Sequence, residues 1–265
     1  MIMNKILTLF LCTLAQLSAA PLLYEGFHPD GEHAESRSGW ITGWHRLAGE
    51  VGSLPDGLVV PGLSGTKGAL LLEKKGEALA QVGVDMGGTF YGSFRVRTAA
   101  LTKDSLLGLV FAKPDLEELT PKTATISLIV KGWRMDHALI LSNGKAAKGG
   151  EGVPIEAKQT YVVLFKVENP ESGPSSVQMW ILNKDQMLYH ANRDVTEAAL
   201  NRAALGSLEG GVMQRLQIDA KNKSKLELSK GDVVACMAKF NPKAVFDEIR
   251  LSKASLADAA GSVVE

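Results

Sequence analysis

A chain of 265 residues with 29 Lys+Arg against 29 Asp+Glu carries no formal net charge, so no whole-molecule field draws it to nucleic acid or to an anionic membrane. Its 45% hydrophobic content supports a sizeable core, and 27 Gly with 10 Pro fall short of the level that marks collagen-like or disordered chains.

Met1 to Ala20 reads as a secretory signal peptide, with Lys5 as the positive start, Ile6 to Leu17 as the apolar run and Ser18-Ala19-Ala20 as the small-residue cleavage region. That run is well short of the ~20 apolar residues that span a bilayer. The expected destination is therefore periplasmic or secreted, with no membrane span after cleavage. Cys12 leaves with the leader, and Cys236 remains alone in the apolar run Val233 to Met237, so no intramolecular disulfide forms and a buried, inert thiol is expected.

Short apolar or alternating runs then recur between Gly, Pro, Asn and Asp, which is the pattern of a many-stranded β protein. Strands are predicted over Leu22–Phe27, Leu58–Val60, Ala69–Glu73, Thr89–Thr98, Leu106–Ala112 and Thr125–Trp133. Further strands are predicted over Ala138–Ser142, Tyr161–Glu168, Ser176–Leu182, Met213–Ala220, Val233–Phe240 and Val245–Leu251. Thr89 to Arg97 alternates cleanly and predicts one dry face (Phe90, Gly92, Phe94, Val96) and one wet face that includes Tyr91, Ser93, Arg95 and Arg97. Asn143-Gly144 and the stretch Asn169 to Pro174 carry turn chemistry between neighbouring antiparallel strands. One helix is predicted over Val195–Leu205, capped by Asp194 or Thr196 and closed by Gly206, with a further helical turn over Ala254–Ala260. No repeat or long linker divides the chain. The expectation is one domain over 21–258, with 259–265 as a tail: an all-β antiparallel jelly-roll β-sandwich with one short helix between late strands.

Several segments resemble secreted bacterial proteins of the concanavalin A-like lectin/glucanase superfamily (LamG-like jelly rolls). These are Leu22-Leu23-Tyr24-Glu25-Gly26-Phe27, the loop Gly39 to Trp44, the central Tyr91-Gly92-Ser93-Phe94-Arg95-Val96-Arg97, and the closing Phe246-Asp247-Glu248-Ile249-Arg250-Leu251. The resemblance spans most of residues 22 to 258 and implies a curved sandwich whose first and last strands lie close together. It implies a fold more strongly than an activity. Glucanases of that superfamily carry E-x-D-x-x-E on one strand, and retaining chemistry needs its carboxyls about 5 Å apart. No strand candidate here has that triplet.

Strand alternation predicts that Asp247 shares a face with Val245, Ile249 and Leu251, and that Glu25 shares one with Leu23 and Phe27. A carboxylate among apolar neighbours needs a partner. With the two strands adjacent, Glu25 and Asp247 are candidate ligands of a structural calcium, an ion that the resemblance also implies; the alternative is that each caps a turn or meets an arginine. Trp40 and Trp44 form either a sugar-stacking platform or a packed pair over the end of the sandwich. Trp133 is a further candidate for an exposed aromatic, and Tyr91, Arg95 and Arg97 could line a concave groove in which arginine meets hydroxyls or a uronate carboxylate. His28 to His33 collects potential metal ligands without a zinc spacing, and Lys221, Lys223 and Lys225 read as a charged turn. The phosphate-loop, nucleophile-elbow and H-E-x-x-H patterns are missing. The expected function is an exported, non-catalytic module that binds a polysaccharide or cell-envelope glycan. The rivals are a purely structural or protein-binding module and a divergent polysaccharide hydrolase or lyase.

Overall fold

The computed structural model describes residues 21–27, 37–100, 105–115, 118–131, 138–141, 146–148, 155–204, 211–212, 214–220, 225–239 and 243–262. The leader, the cluster from His28 to His33, Asn143-Gly144, Trp133, Lys221 and Lys223 lie outside these described residues. The first half of the chain forms β1 (Leu23–Glu25), β2 (Arg37–Ser38), β3 (His45–Leu54), β4 (Ala69–Gln81), β5 (Phe90–Thr98), β6 (Leu106–Ala112), β7 (Ile126–Lys131), β8 (Ala138–Leu141) and β9 (Ala146–Lys148). The second half forms β10 (Thr160–Glu168), β11 (Ser176–Asn183), α1 (Lys184–Ala191), α2 (Glu197–Ala204), β12 (Gln214–Asp219), β13 (Val233–Lys239), β14 (Ala244–Ser252) and α3 (Leu256–Ala260).

All strand pairs are antiparallel, in the order β12-β11-β10-β5-β14-β4-β13-β6-β7-β8-β9. Two layers arise from this ladder because β4 turns a corner. Its Leu70–Leu72 segment pairs with β14, its Glu77–Gln81 segment pairs with β13, and between them Lys74 and Lys75 take left-handed φ values of 51° and 64°. A strand that bends this way can serve both layers of a sandwich. At the far side β12 touches β8 and β9, so the two ends of the ladder approach each other. The chain is an all-β antiparallel sandwich of jelly-roll type.

The inner faces meet in one core. Phe90, Phe94, Phe165 and Phe246 come from one layer and Leu109, Phe111, Leu128 and Val130 from the other. Phe111 and Phe165 meet across it at 5.7 Å. Gly92 is required at this point because a Cβ there would lie 2.1 Å from Cζ of Phe165. Cys236 is fully buried in the same core, where burial, followed by the nearby Glu25 carboxylate, pushes its thiol well above the ordinary range. The expected inert cysteine is thereby placed.

Several expectations need correction. The outer face of β5 is not wet: Ser93 and Arg95 are buried, and Tyr91 and Arg97 are half-buried. The cover includes α3, whose Ala259 carbonyl accepts from Ser93 Oγ at 2.6 Å, and the loop over 57–66. Leu58–Val60 belongs to that loop rather than to a strand. Among the described residues the expected helical turn over Ala254–Ala260 appears as α3, and one helix, α1, was not anticipated. The expected late helix is α2. The additional α1 follows directly on β11 through a capping box, in which Asn183 Oδ1 accepts from the Gln186 N–H at 2.9 Å and Gln186 Oε1 accepts from the Asn183 N–H at 2.9 Å. Ala259 and Ala260, counted both in the expected helical turn and in the tail, are buried parts of α3, and Ser262 bridges to Leu63. Strand β3 was not anticipated. Among the described residues it pairs with β4 alone, carries two register shifts and is mostly exposed, as a bulged edge strand can be.

Replacing Gly92 by Ala should overpack the core against Phe165 and cost about 1–3 kcal/mol, read as a lower urea midpoint without a change in slope.

Candidate functional site

The closing strand builds a polar node from its own irregularity. Glu248 has φ 53°, and the register against β5 shifts between Asp247 and Arg250. This β-bulge adds one residue and reverses the alternation beyond it. Phe246, Ile249 and Leu251 therefore all face the main core, whereas Asp247, Glu248 and Arg250 are buried with the loop over 57–66. The same bulge marks the exchange of neighbours, since Ala244–Phe246 pairs with β4 and Ile249–Leu251 pairs with β1.

Every charge in the node has partners. Asp247 Oδ2 accepts the Leu58 N–H at 2.6 Å and Oδ1 accepts the Glu248 N–H at 2.8 Å. Glu248 Oε1 accepts the Thr66 N–H at 2.6 Å and the Tyr24 hydroxyl at 3.2 Å, while its Oε2 meets Arg250 Nη2 at 2.8 Å. Arg95 donates to the carbonyls of Leu58 at 2.8 Å and Ser64 at 2.5 Å. The Arg250 guanidinium also lies 4.4 Å from the centre of the Tyr24 ring. Burial, and then Glu248, push the Asp247 carboxyl up to about 8, against the opposing pull of the Leu58 N–H, Arg95 and the Glu248 N–H. Burial and Glu248 likewise raise the Tyr24 hydroxyl to about 12.

The expected calcium pair does not form. Glu25 is the cross-strand partner of Ile249 and so lies on the core face, whereas Asp247 lies opposite Phe246 on the other face. Glu25 Oε1 accepts the Phe27 N–H at 3.1 Å and Oε2 accepts Trp44 Nε1–H at 2.9 Å. Two carboxylates on opposite faces of a sheet, each occupied by N–H donors, do not fit one hard cation with six to eight oxygens. Among the described residues no group of three His, Cys, Asp or Glu is placed to hold a metal.

Trp40 and Trp44 are half-buried with both indole N–H groups turned inward, that of Trp40 toward the Tyr24 carbonyl at 2.9 Å. Their rings tilt against each other at 5.4 Å, and Trp44 meets Phe27 at 5.2 Å. This is the packed arrangement. Arg95 is consumed by the node, Tyr91 packs beside the outer cluster under the helices, and Arg97 lies in register with Thr160 and Val245. The expected groove is thus covered at Ser93 and Arg95, with Tyr91 and Arg97 half-buried, and Trp133 lies outside the described residues.

A concave site occurs instead between α1 and α2, which sit on the outer face of β10 and β11. Trp180, Leu182, Met187 and Leu200 bury the contact. Polar bonds fix its register: Asn201 Oδ1 accepts Trp180 Nε1–H at 3.0 Å, and Glu197 accepts from Lys166 Nζ at 2.6 Å and Gln178 Nε2 at 3.0 Å. The helices leave a cavity of about 400 Å³, with Tyr189, His190, Arg193 and Asp194 on one side and Ala199, Arg202 and Ala203 on the other. The Arg193 guanidinium stacks 3.9 Å from the Tyr189 ring centre, and Tyr189 meets His190 edge-on at 5.4 Å. The cavity is within the size range of small-ligand sites and presents an aromatic body, planar donors and a carboxylate. None of these residues was a candidate from sequence. The one available signal was Asn183-x-x-Gln186, a capping pattern that starts α1 and thereby places Tyr189, His190 and Arg193 on a helix.

No family model and no curated protein matches the sequence. Among solved structures, domain 4 of an extracellular GH43 arabinanase from Geobacillus stearothermophilus, in complex with arabinotriose, superposes with a TM-score of 0.51 at 13% identity, covering 92% of this chain and 97% of that one. A carbohydrate-binding module from Bacillus subtilis matches with a TM-score of 0.43 at 14% identity, covering 80% of this chain and 96% of that one. An endo-β-1,4-glucuronan lyase from the fungus Trichoderma reesei matches with a TM-score of 0.47 at 8% identity, covering 92% of this chain and 100% of that one. The arabinanase domain agrees with the sandwich derived above, and at this identity the likeness concerns the fold.

Because the Asp247 carboxyl rises from 3.8 to about 8 on folding, its protonated form favours the native state. Its contribution is full below the unfolded value and is lost as pH rises through the folded one. Asp247→Asn, which cannot ionise, should therefore lose less stability relative to wild type at pH 8 than at pH 5. Paired urea titrations at the two pH values check this.

Proposed function

We infer that the protein is an exported, non-catalytic β-sandwich module, akin to the concanavalin A-like superfamily, that binds carbohydrate in the cavity between α1 and α2. The observation that carries this reading is the cavity itself: about 400 Å³, with Tyr189, Arg193, Asp194 and Arg202 around it and small Ala199 at its wall. A pyranose presents apolar C–H faces and a rim of hydroxyls, so its recognition calls for an apolar body plus converging planar donors and acceptors. Support also comes from the shared fold of a domain described in complex with arabinotriose. The signal-like leader supports a periplasmic or secreted location, and no helix among the described residues is long and apolar enough to cross a membrane. The non-catalytic assignment is supported by the missing E-x-D-x-x-E triplet and by the closure of Asp247 and Glu248 beneath the loop over 57–66.

One observation favours a second reading. Tyr189 and His190 stand beside two arginines. A lyase needs a base to remove the proton next to a uronate carboxylate and cations to hold that carboxylate. His190 is only 3% exposed, which favours binding over proton abstraction from a bulky chain.

A glycan array probed with residues 21–265, with calcium and with chelator, should give saturable binding to one glycan class under both conditions. Ala199→Leu, which fills the cavity wall, should weaken that binding at least tenfold while the melting temperature stays close to wild type. Appearance of an unsaturated product from a bound polysaccharide would establish the lyase instead, and absence of binding to every glycan would leave a structural module.

A further inference from the structure

The charge around the cavity is unbalanced. Arg193 follows the end of α1 and is held by stacking on Tyr189 and by donation of Nη1–H to the Tyr189 carbonyl at 3.4 Å. That contact engages one of its five N–H donors, so the fork remains open at the cavity. Arg202 lies in the last turn of α2, and among the described residues it makes no hydrogen bond or ion pair. The one carboxylate at the rim among the described residues, Asp194, accepts the Thr196 hydroxyl at 2.9 Å and forms no ion pair with either arginine. Elsewhere the fold pairs its cations closely, as Lys166 with Glu168 and Glu197 and Arg250 with Glu248. Two guanidiniums, one just beyond α1 and one in α2, thus face one cavity, and neither forms an ion pair with a carboxylate among the described residues.

We propose that the cavity selects an acidic saccharide, whose carboxylate is held between Arg193 and Arg202. This rests on the carbohydrate reading of the same site and adds the class of sugar. Guanidinium forks match carboxylate geometry and give charge-assisted hydrogen bonds that neutral hydroxyls do not. The exposed position of both arginines makes the selection dependent on ionic strength. Ala199 and Ala203 provide the room for the ring, and Asp194 remains as an acceptor for a ring hydroxyl.

Calorimetric titration of residues 21–265 separates the alternatives. The probes are trigalacturonate, triglucuronate and trimannuronate, each against its own methyl ester, with xylotriose and arabinotriose as neutral sugars and inorganic sulfate as a bare anion. One uronate should bind at least tenfold more tightly than its ester, and this preference should shrink severalfold at high salt. Arg202→Gln should bring the acid close to the affinity of the ester, whereas Ala199→Leu should abolish binding of both. Equal affinity for acid and ester would overturn the acidic-sugar assignment and leave carbohydrate binding standing. Absence of binding to every saccharide would overturn both. Sulfate that binds as tightly as the uronate would also overturn the assignment, because the site would then recognise an anion rather than a sugar.

Discussion

The buried charge network at the bulge of β14 is the constraint from which the remaining architecture follows. Glu248 and Arg250 are paired at 2.8 Å with side chains 1% and 9% exposed, so neither charge can lose its partner without a large desolvation cost. Through these two residues, Asp247 and Arg95, the node ties together four pieces distant in sequence: β1 through Tyr24, β5 through Arg95, the loop over 57–66 through Leu58, Ser64 and Thr66, and β14 itself. The end of α3 joins it because Ser64 donates its N–H to the Gly261 carbonyl at 2.7 Å. Gly57, Gly65 and Gly261 pack against the node so closely that a Cβ at any of them would meet an atom of Asp247, Arg95 or Arg250 within 3 Å. The network thus positions the loop that covers the outer face of β5, and Asp247 and Glu248 are buried beneath it.

The consequence for function is a division of labour between layers. The sandwich core and the node are saturated with internal partners, leaving little for a ligand to take. The helical layer on β10 and β11 is different. Its inner side is fixed by Trp180, Leu200 and the bonds of Glu197 and Asn201, while its outer side carries Arg193 and Arg202, which form no ion pair among the described residues. A rigid sheet therefore supports the small cavity lined by Arg193 and Arg202, on which the proposed binding rests.

Much of the β architecture was legible because burial imposes a period of two on strands. The runs at Leu106–Ala112, Tyr161–Glu168, Ser176–Leu182 and Val233–Phe240 reappear as β6, β10, β11 and β13, and the turn at Asn169 to Pro174 joins an antiparallel pair. The site was far less legible. A single left-handed residue at Glu248 reverses the faces of everything after it, so strict alternation placed Asp247 with Ile249 when the two face opposite ways. Alternation on β5 correctly separated Phe94 from Arg95, but it could not say that a distant loop and helix would cover the polar side. Trp40 and Trp44 were visible as aromatic loop residues, and only tertiary contacts with Tyr24 and Glu25 decided that they pack. Helix α1 was missed because its start abuts a strand with no intervening Gly or Pro, and its capping pair is a short signal.

The most direct test of the claim that the bulge network holds the fold together is a double-mutant cycle on Glu248 and Arg250. Urea unfolding would be measured for Glu248→Gln, Arg250→Met and the double variant. Breaking a buried pair from either side should cost about 3–5 kcal/mol. The double variant should cost clearly less than the sum of the two singles, because the second substitution removes the charge that the first left unpaired. Single losses below about 1 kcal/mol that simply add would describe independent surface-like residues, and would contradict the account.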